Sequence, residues 1–183
     1  MTINNNEKFW ELNYNSPDHN NEYKFYEKFA TFSKVFDFND LANTLSEEDV
    51  SSNVLNRVDS TQLFNSIFQA RNVHYSDNLI QLHNEVDNIF NTENINSDSD
   101  LLFSFNSNSA SLEHTELYDT FCLCIFGSFN LLVNTSIVQF NIGDAFFMPK
   151  DQSYYILSSE PYIIFSYGLR GDTARSYPWT NES

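Results

Sequence analysis

The stretch His114 to Leu132, HTELYDTFCLCIFGSFNLL, constrains the fold more than any other part of the chain. Within it Phe121, Leu123 and Ile125 alternate with Cys122, Cys124 and Phe126 in an almost unbroken apolar run. Successive side chains of a strand point to opposite faces, so this run fits a strand buried on both sides. Gly127 then breaks it. All four glycines (Gly127, Gly143, Gly168, Gly171) fall in the last third of the chain, where they punctuate short strand-like runs as turns do. His114 and Glu116, one residue apart, place both side chains on one face of an extended segment. The last third therefore reads as an all-β unit built around a His/Glu pair.

The neighbouring runs agree. Leu101–Phe105, Ser136–Phe140, Ala145–Met148, Tyr154–Leu157 and Tyr162–Tyr167 are short, strand-like, and bounded by Gly, Pro, Asp or Ser. Such spacing indicates a sandwich or barrel. Residues 4–91 read instead as helical or irregular. Tyr23, Tyr26 and Phe29 recur at helical spacing, Asp37 or Asn39 can cap a helix through Leu41 and Leu45, and Leu63, Phe64, Ile67 and Phe68 form an i, i+3, i+4 stripe after Asp59 or Ser60. Val86, Ile89 and Phe90 suggest a further helical turn or two, and the polar run NTENINSDSD, Asn91–Asp100, reads as the loop between the two halves. His19, inside SPDHNNE, reads as an exposed loop histidine, and His74 and His83, which have no second ligand at a recognisable spacing, read as structural histidines.

At 183 residues the chain holds one domain with a full core. Its formal charge of −16 repels nucleic acid and anionic membranes alike. Hydrophobic content of 41% is too high for a disordered chain. No basic and apolar leader and no membrane-length apolar window occur, and Cys122 and Cys124 sit one residue apart, a spacing unsuited to a disulfide. Buried free thiols in a cytoplasmic protein are expected. The aromatic content of the helical half leads to the expectation of a homodimer that covers apolar surface.

The run from His114 to Leu132 resembles the H-x-D/E, D-x-F, hydrophobic strand, G-x-K segment of the cupin-like JmjC hydroxylases, the group that includes the bacterial ribosomal oxygenases. The run GDAFFMPKDQSYY, from Gly143, resembles their second signature: G-D, four residues, Pro, then a His five positions on. FWELNYNSP and LHNEVDNIF are weaker echoes of the N-terminal aromatic helix and of the helix that enters the barrel. The resemblance implies a mainly β protein with a helical N-terminal part: residues 4–91 packed on a double-stranded β-helix, the cupin or jelly-roll barrel, over residues 101–175.

It also implies a mouth that holds Fe(II) between two His and one carboxylate, with 2-oxoglutarate as co-substrate. His114 and Glu116 match the first His and the carboxylate, and Ser111 falls where a small hydroxyl residue helps hold the co-substrate. Two positions depart from the pattern. The G-x-K lysine, the cation for the co-substrate carboxylate, is replaced by Phe129, and the distal His is replaced by Tyr154. A neutral phenol, with a pKa near ~10, is a poor ligand for Fe(II). The expectation is a barrel with an incomplete site that binds Fe(II) or another divalent metal weakly, dispenses with 2-oxoglutarate, and takes a small molecule or protein partner at its mouth. Asp119, Asp144 and the Lys150–Asp151 pair read as turn residues. One alternative is an active metal-dependent oxygenase in which His74, His83 or another carboxylate supplies the missing ligand. A structural jelly-roll protein is another, because fold alone does not choose among them.

Overall fold

The computed structural model describes residues 2–3, 23–54, 67–90, 96–105, 109–111 and 113–170. In chain order its strands are β1 (Thr2–Ile3), β2 (Lys24–Tyr26), β3 (Ala30–Thr31), β4 (Ser51–Val54), β5 (Phe68–Arg71), β6 (Asn96–Ser104), β7 (Ser109–Ala110), β8 (His114–Thr115), β9 (Asp119–Val133), β10 (Ser136–Asn141), β11 (Ala145–Met148), β12 (Ser153–Ser158) and β13 (Tyr162–Arg170). The helices are α1 (Phe38–Leu45) and α2 (Ile80–Phe90), with a 3-10 turn over Val73–Tyr75.

Strand β9 organises the rest. Its 15 residues belong to two antiparallel sheets: up to Gly127 it pairs with β13 and β11, and from Ser128 onward with β10 and β12. The larger sheet has the order β2-β11-β9-β13-β6-β5-β4, while the smaller sets β10, β9 and β12 side by side, with β7 and β8 along the other edge of β12. The changeover falls at Gly127, whose φ is +69° and where a Cβ would stand 2.0 Å from the carbonyl oxygen of Pro161. Only glycine fits there. Just before it the β9–β13 register slips between Ile163 and Ile164, leaving Ile125 as the extra residue of a bulge that bends the strand.

The alternation read from the sequence has a counterpart on each face of β9. Phe121, Leu123 and Ile125 join an outer layer with Val86, Ile89 and Phe90 of α2. Cys122 and Cys124, both free thiols, face the space between the sheets, together with Phe129, Phe140, Phe146 and Tyr154. There Phe129 and Phe140, cross-strand partners, stack with ring centroids 5.1 Å apart and 7° between planes. Burial of each such side chain contributes about 1.5–3 kcal/mol, so both faces of β9 stabilise the fold. Asp37 caps α1, as expected: its Oδ1 accepts from Asn39 N and Asp40 N, and Asp40 Oδ2 accepts from Asp37 N in return.

The N-terminal half is less helical than its spacing suggests. The Tyr23–Phe29 region forms β2, not a helix; Tyr26, Phe25 and Lys24 pair with Ala145, Phe146 and Phe147. The edge of β11 offers its backbone groups to this segment, and that long-range ladder outweighs a local periodicity. Phe68 lies in β5, its ring stacked on Phe103 at 5.5 Å, and Ile67 just before it is buried between the sheets, while Leu63 and Phe64 of the expected helical stripe, within residues 55–66, lie outside the described residues. So do His19 and the FWELNYNSP segment. Half of the expected polar loop is strand, since Asn96–Asp100 extends β6 against Ser166–Arg170 of β13. Residues 4–91 are therefore a mixture of helices and short strands at or near the sheet edges where they are described. No helix among the described residues is long and apolar enough to cross a membrane.

Candidate functional site

Strand β8 pairs with the start of β12, which sets Tyr154 opposite His114 and Ser153 opposite Thr115. The hydroxyls of Thr115 and Ser153 lie 2.8 Å apart across that pairing. The rings of His114 and Tyr154 meet edge to face, with centroids 5.2 Å apart. Glu116 follows directly, and its carbonyl accepts the Asp151 N–H at 2.9 Å, so the turn after Pro149 holds it in place. The Glu116 carboxylate is engaged from two sides: Oε1 lies 3.3 Å from His114 Nε2 and accepts the Tyr154 hydroxyl at 2.5 Å.

The charges follow from these contacts. Burial works against the His114 cation, but the hydrogen bond and the negative charge of Glu116 outweigh it, and the imidazole pKa rises above its ordinary 6.5. For Glu116, burial by itself favours the neutral acid. The His114 hydrogen bond and charge, with hydrogen bonds from Tyr154 and Thr120, reverse this and hold the carboxyl below its ordinary 4.5. Burial and then the Glu116 charge push Tyr154 well up, so its phenol stays protonated and donates. Cys122 behind the site is likewise pushed well up by burial and by the same carboxylate. The arrangement is a half-buried imidazole–carboxylate–phenol chain.

Tyr154 and Cys122 are fully buried, while His114 and Glu116 border a cleft of about 100 Å³ between the sheets. Its opposite wall comes from the larger sheet and is polar: Gln69 and Arg71 of β5, Asp98 and Asp100 of β6, and Ser166 of β13. Gln69 Nε2 donates to Asp100 Oδ2 at 2.7 Å, and Arg71 Nε to Gln69 Oε1 at 3.3 Å. Gly168 leaves room for Asp98, whose Oδ1 is 2.7 Å from the place of an added Cβ. None of the polar side chains of this wall is among those singled out from the sequence. The period-two spacing of Asp98 with Asp100, and of Gln69 with Arg71, is the signal that points to them, because it puts each pair on one strand face.

The other candidate positions lie elsewhere. Ser111 does not line the cleft; its Oγ accepts the Ile156 N–H at 2.8 Å and its N–H donates to the Ile156 carbonyl, extending the pairing of β12. Phe129 is buried in the aromatic interior, 5.6 Å from the Tyr162 ring and 6.3 Å from that of Phe146. His74 and His83 sit near each other, 5.2 Å between ring centroids, with His83 5.4 Å from Tyr167. Tyr167 belongs to the outer layer, whereas its strand neighbours Ser166 and Gly168 line the cleft from the other face. The sheet thus separates both histidines from His114. Asp119 and Asp144 accept backbone N–H groups, from Lys150 and from Lys28 and Asn141, as turn residues do.

No family model matches the chain, and no curated protein does. Among solved structures, the ribosomal oxygenase YcfD from Escherichia coli matches with a TM-score of 0.66 at 17% identity, over 84% of this chain and 49% of that one. YcfD was solved with cobalt and succinic acid and with cobalt and 2-oxoglutarate. A cupin superfamily protein from Desulfitobacterium hafniense matches at 14% identity with a TM-score of 0.38, over 68% of this chain and 80% of that one. The chain spans about half the length of YcfD. What it shares with that ribosomal oxygenase is a mainly β, antiparallel fold.

Proposed function

We propose that the chain is a double-stranded β-helix of the cupin/JmjC type whose mouth binds a small polar molecule or a partner's side chain and does not run Fe(II)/2-oxoglutarate chemistry. The strand order supports the β-helix: β11-β9-β13-β6 in one sheet faces β10-β9-β12 with β7 and β8 in the other. The observation that carries the functional reading is the engagement of Glu116 by both His114 and Tyr154.

An iron centre of the oxygenase kind needs two neutral imidazoles and a free carboxylate edge on one ion. The donor set here does not fit one. Among the described residues no three His, Cys, Asp or Glu side chains gather as metal ligands. The position of the third ligand carries a phenol that keeps its proton and points it at Glu116, and His114 is biased toward the cation, which has no lone pair to give. Phe129 supplies no positive charge for a dicarboxylate. What the residues do offer is a fixed imidazole edge on one wall and Arg71, Asp98, Asp100 and Ser166 on the other, partners for a small ligand with several hydrogen-bonding groups.

The likeness to YcfD favours a second reading, an oxygenase with a rearranged site. It needs a third ligand that neither His74 nor His83 can supply from the far side of the sheet. Purification with iron supplied, followed by metal analysis and a 2-oxoglutarate turnover assay, separates the two. Metal well below one equivalent and no turnover are expected. One iron per chain with consumption of 2-oxoglutarate would establish the second reading.

A further inference from the structure

A second cavity, about 320 Å³, opens on the outer, helix-bearing side of the larger sheet. Its size suits one small organic molecule. We propose that it is a binding site for an organic ammonium ion with an apolar, aromatic-sized body. The proposal is independent of what happens at the barrel mouth.

The walls and the rim select opposite ends of such a ligand. Phe32 and Phe36, half-buried, supply apolar surface above the buried Leu79, Leu82 and Ile125, and aromatic rings also attract cations. Three carboxylates, Asp40, Asp77 and Glu85, stand around this surface against one cation, Lys34. Asp40 and Asp77 lie in the first turn of α1 and just before α2, where the helix N-termini offset part of their charge. Glu85 sits in the second turn of α2, beyond that compensation, and among the described residues accepts a neutral amide hydrogen bond, from Gln81 at 3.1 Å.

The chain itself displays the chemistry. Lys34 Nζ lies 2.6 Å from Asp40 Oδ1, so an ammonium group already rests on a buried carboxylate beside the phenyl rings. The Lys34 side chain is 75% exposed, and such a stem swings into water at little cost. A ligand ammonium is therefore placed to share or replace it, burying its apolar body where the lysine stem stays mostly in water. An anion of the same shape meets the three carboxylates, and a neutral one gains only the apolar contact.

The test is titration of 2-phenylethylamine into the full chain, followed by backbone amide NMR shifts, with 2-phenylethanol and phenylacetate as neutral and anionic counterparts. The amine is expected to shift the amides of Phe36, Asp40, Leu79 and Leu82, and to bind roughly tenfold more tightly than the alcohol, with no binding of phenylacetate. Glu85→Gln, an exposed-side substitution that leaves the α1 capping box intact, should weaken the amine roughly three- to tenfold. Lys34→Met should tighten it by a similar factor, because the internal competitor is gone. Equal binding of amine and alcohol, insensitivity to both substitutions, or shifts confined to the His114 cleft would each overturn the proposal.

Discussion

Tyr154 and Glu116 are joined by a hydrogen bond of 2.5 Å from the phenol to Oε1, made between residues 38 apart in the chain. The pairing of β8 with β12 puts them there, since it sets Tyr154 directly across from His114, two residues before the glutamate. In the family resembled, the residue at the Tyr154 position would share a metal with the carboxylate. Here it shares a proton.

Removing that proton donor should therefore cost stability. With Tyr154→Phe the ring packing against Phe146 and His114 remains, while a buried carboxylate oxygen loses one of its two partners. A loss of about 1–3 kcal/mol is expected, read from urea denaturation at neutral pH. An unchanged midpoint would show that the phenol contributes nothing to holding Glu116.

His114 and His83 should respond to pH in opposite senses. The folded-state pKa of His114 is raised above 6.5, so its contribution is complete below that pH and is lost as pH rises through the raised value. Glu116, lowered below 4.5, contributes above that pH and loses its contribution as pH falls through the depressed value. The pair therefore stabilises most between pH 4.5 and 6.5. His83 is pushed down by burial and then by His74, so its contribution is present above pH 6.5 and fades on acidification through the lowered value. Against the wild type, His114→Gln should show its largest deficit in the mildly acidic window, whereas His83→Gln should gain relative stability there. Urea midpoints across that range check both, and pH-independent differences would contradict the charge assignments.

Gly127→Ala should be among the most damaging single substitutions in the chain. The position combines a φ of +69° with backbone 2.0 Å from the new Cβ. The positive φ alone costs about 1–3 kcal/mol, and moving Pro161 disturbs the changeover of β9 from one sheet to the other. Thermal unfolding should show a large drop in midpoint. A shift of only a degree or two would mean that the bend does not depend on glycine.

How far the sequence discloses this molecule depends on the range of the interactions. The buried run of β9, the strands after it and the Asp37 cap are all legible, because they rest on alternation, turn residues and local hydrogen bonds. The meeting of His114, Glu116 and Tyr154 is legible only through the spacing of the two resembled motifs. Tyr23–Phe29 misleads, because a short aromatic run suits either a helix face or an edge strand, and the vacant side of β11 decides. The far wall of the cleft is hidden for a related reason. Asp98 and Asp100 look like loop residues until β13 pairs with them and shows that their polarity belongs to a strand face turned toward the cleft.

Phe129→Lys, which would reinstate the cation of the resembled family, should not restore a site unaided. The ring it replaces is 1% exposed and stacked on Phe140. Loss of that packing, with an ammonium group brought into apolar surroundings, should destabilise by about 3–5 kcal/mol, read from the urea midpoint. A stable variant would show that the Lys amine reaches the polar cleft.

Calorimetric titration of a divalent surrogate for Fe(II) into the wild type and into Tyr154→His, each with and without 2-oxoglutarate, bears most directly on the role of the Glu116 site. The wild type should bind the metal weakly, with no enhancement by 2-oxoglutarate, and Tyr154→His should bind it at least roughly tenfold more tightly, since an imidazole nitrogen then replaces the phenol beside Glu116. Tight, stoichiometric binding by the unmodified chain, strengthened by 2-oxoglutarate, would contradict the non-catalytic reading.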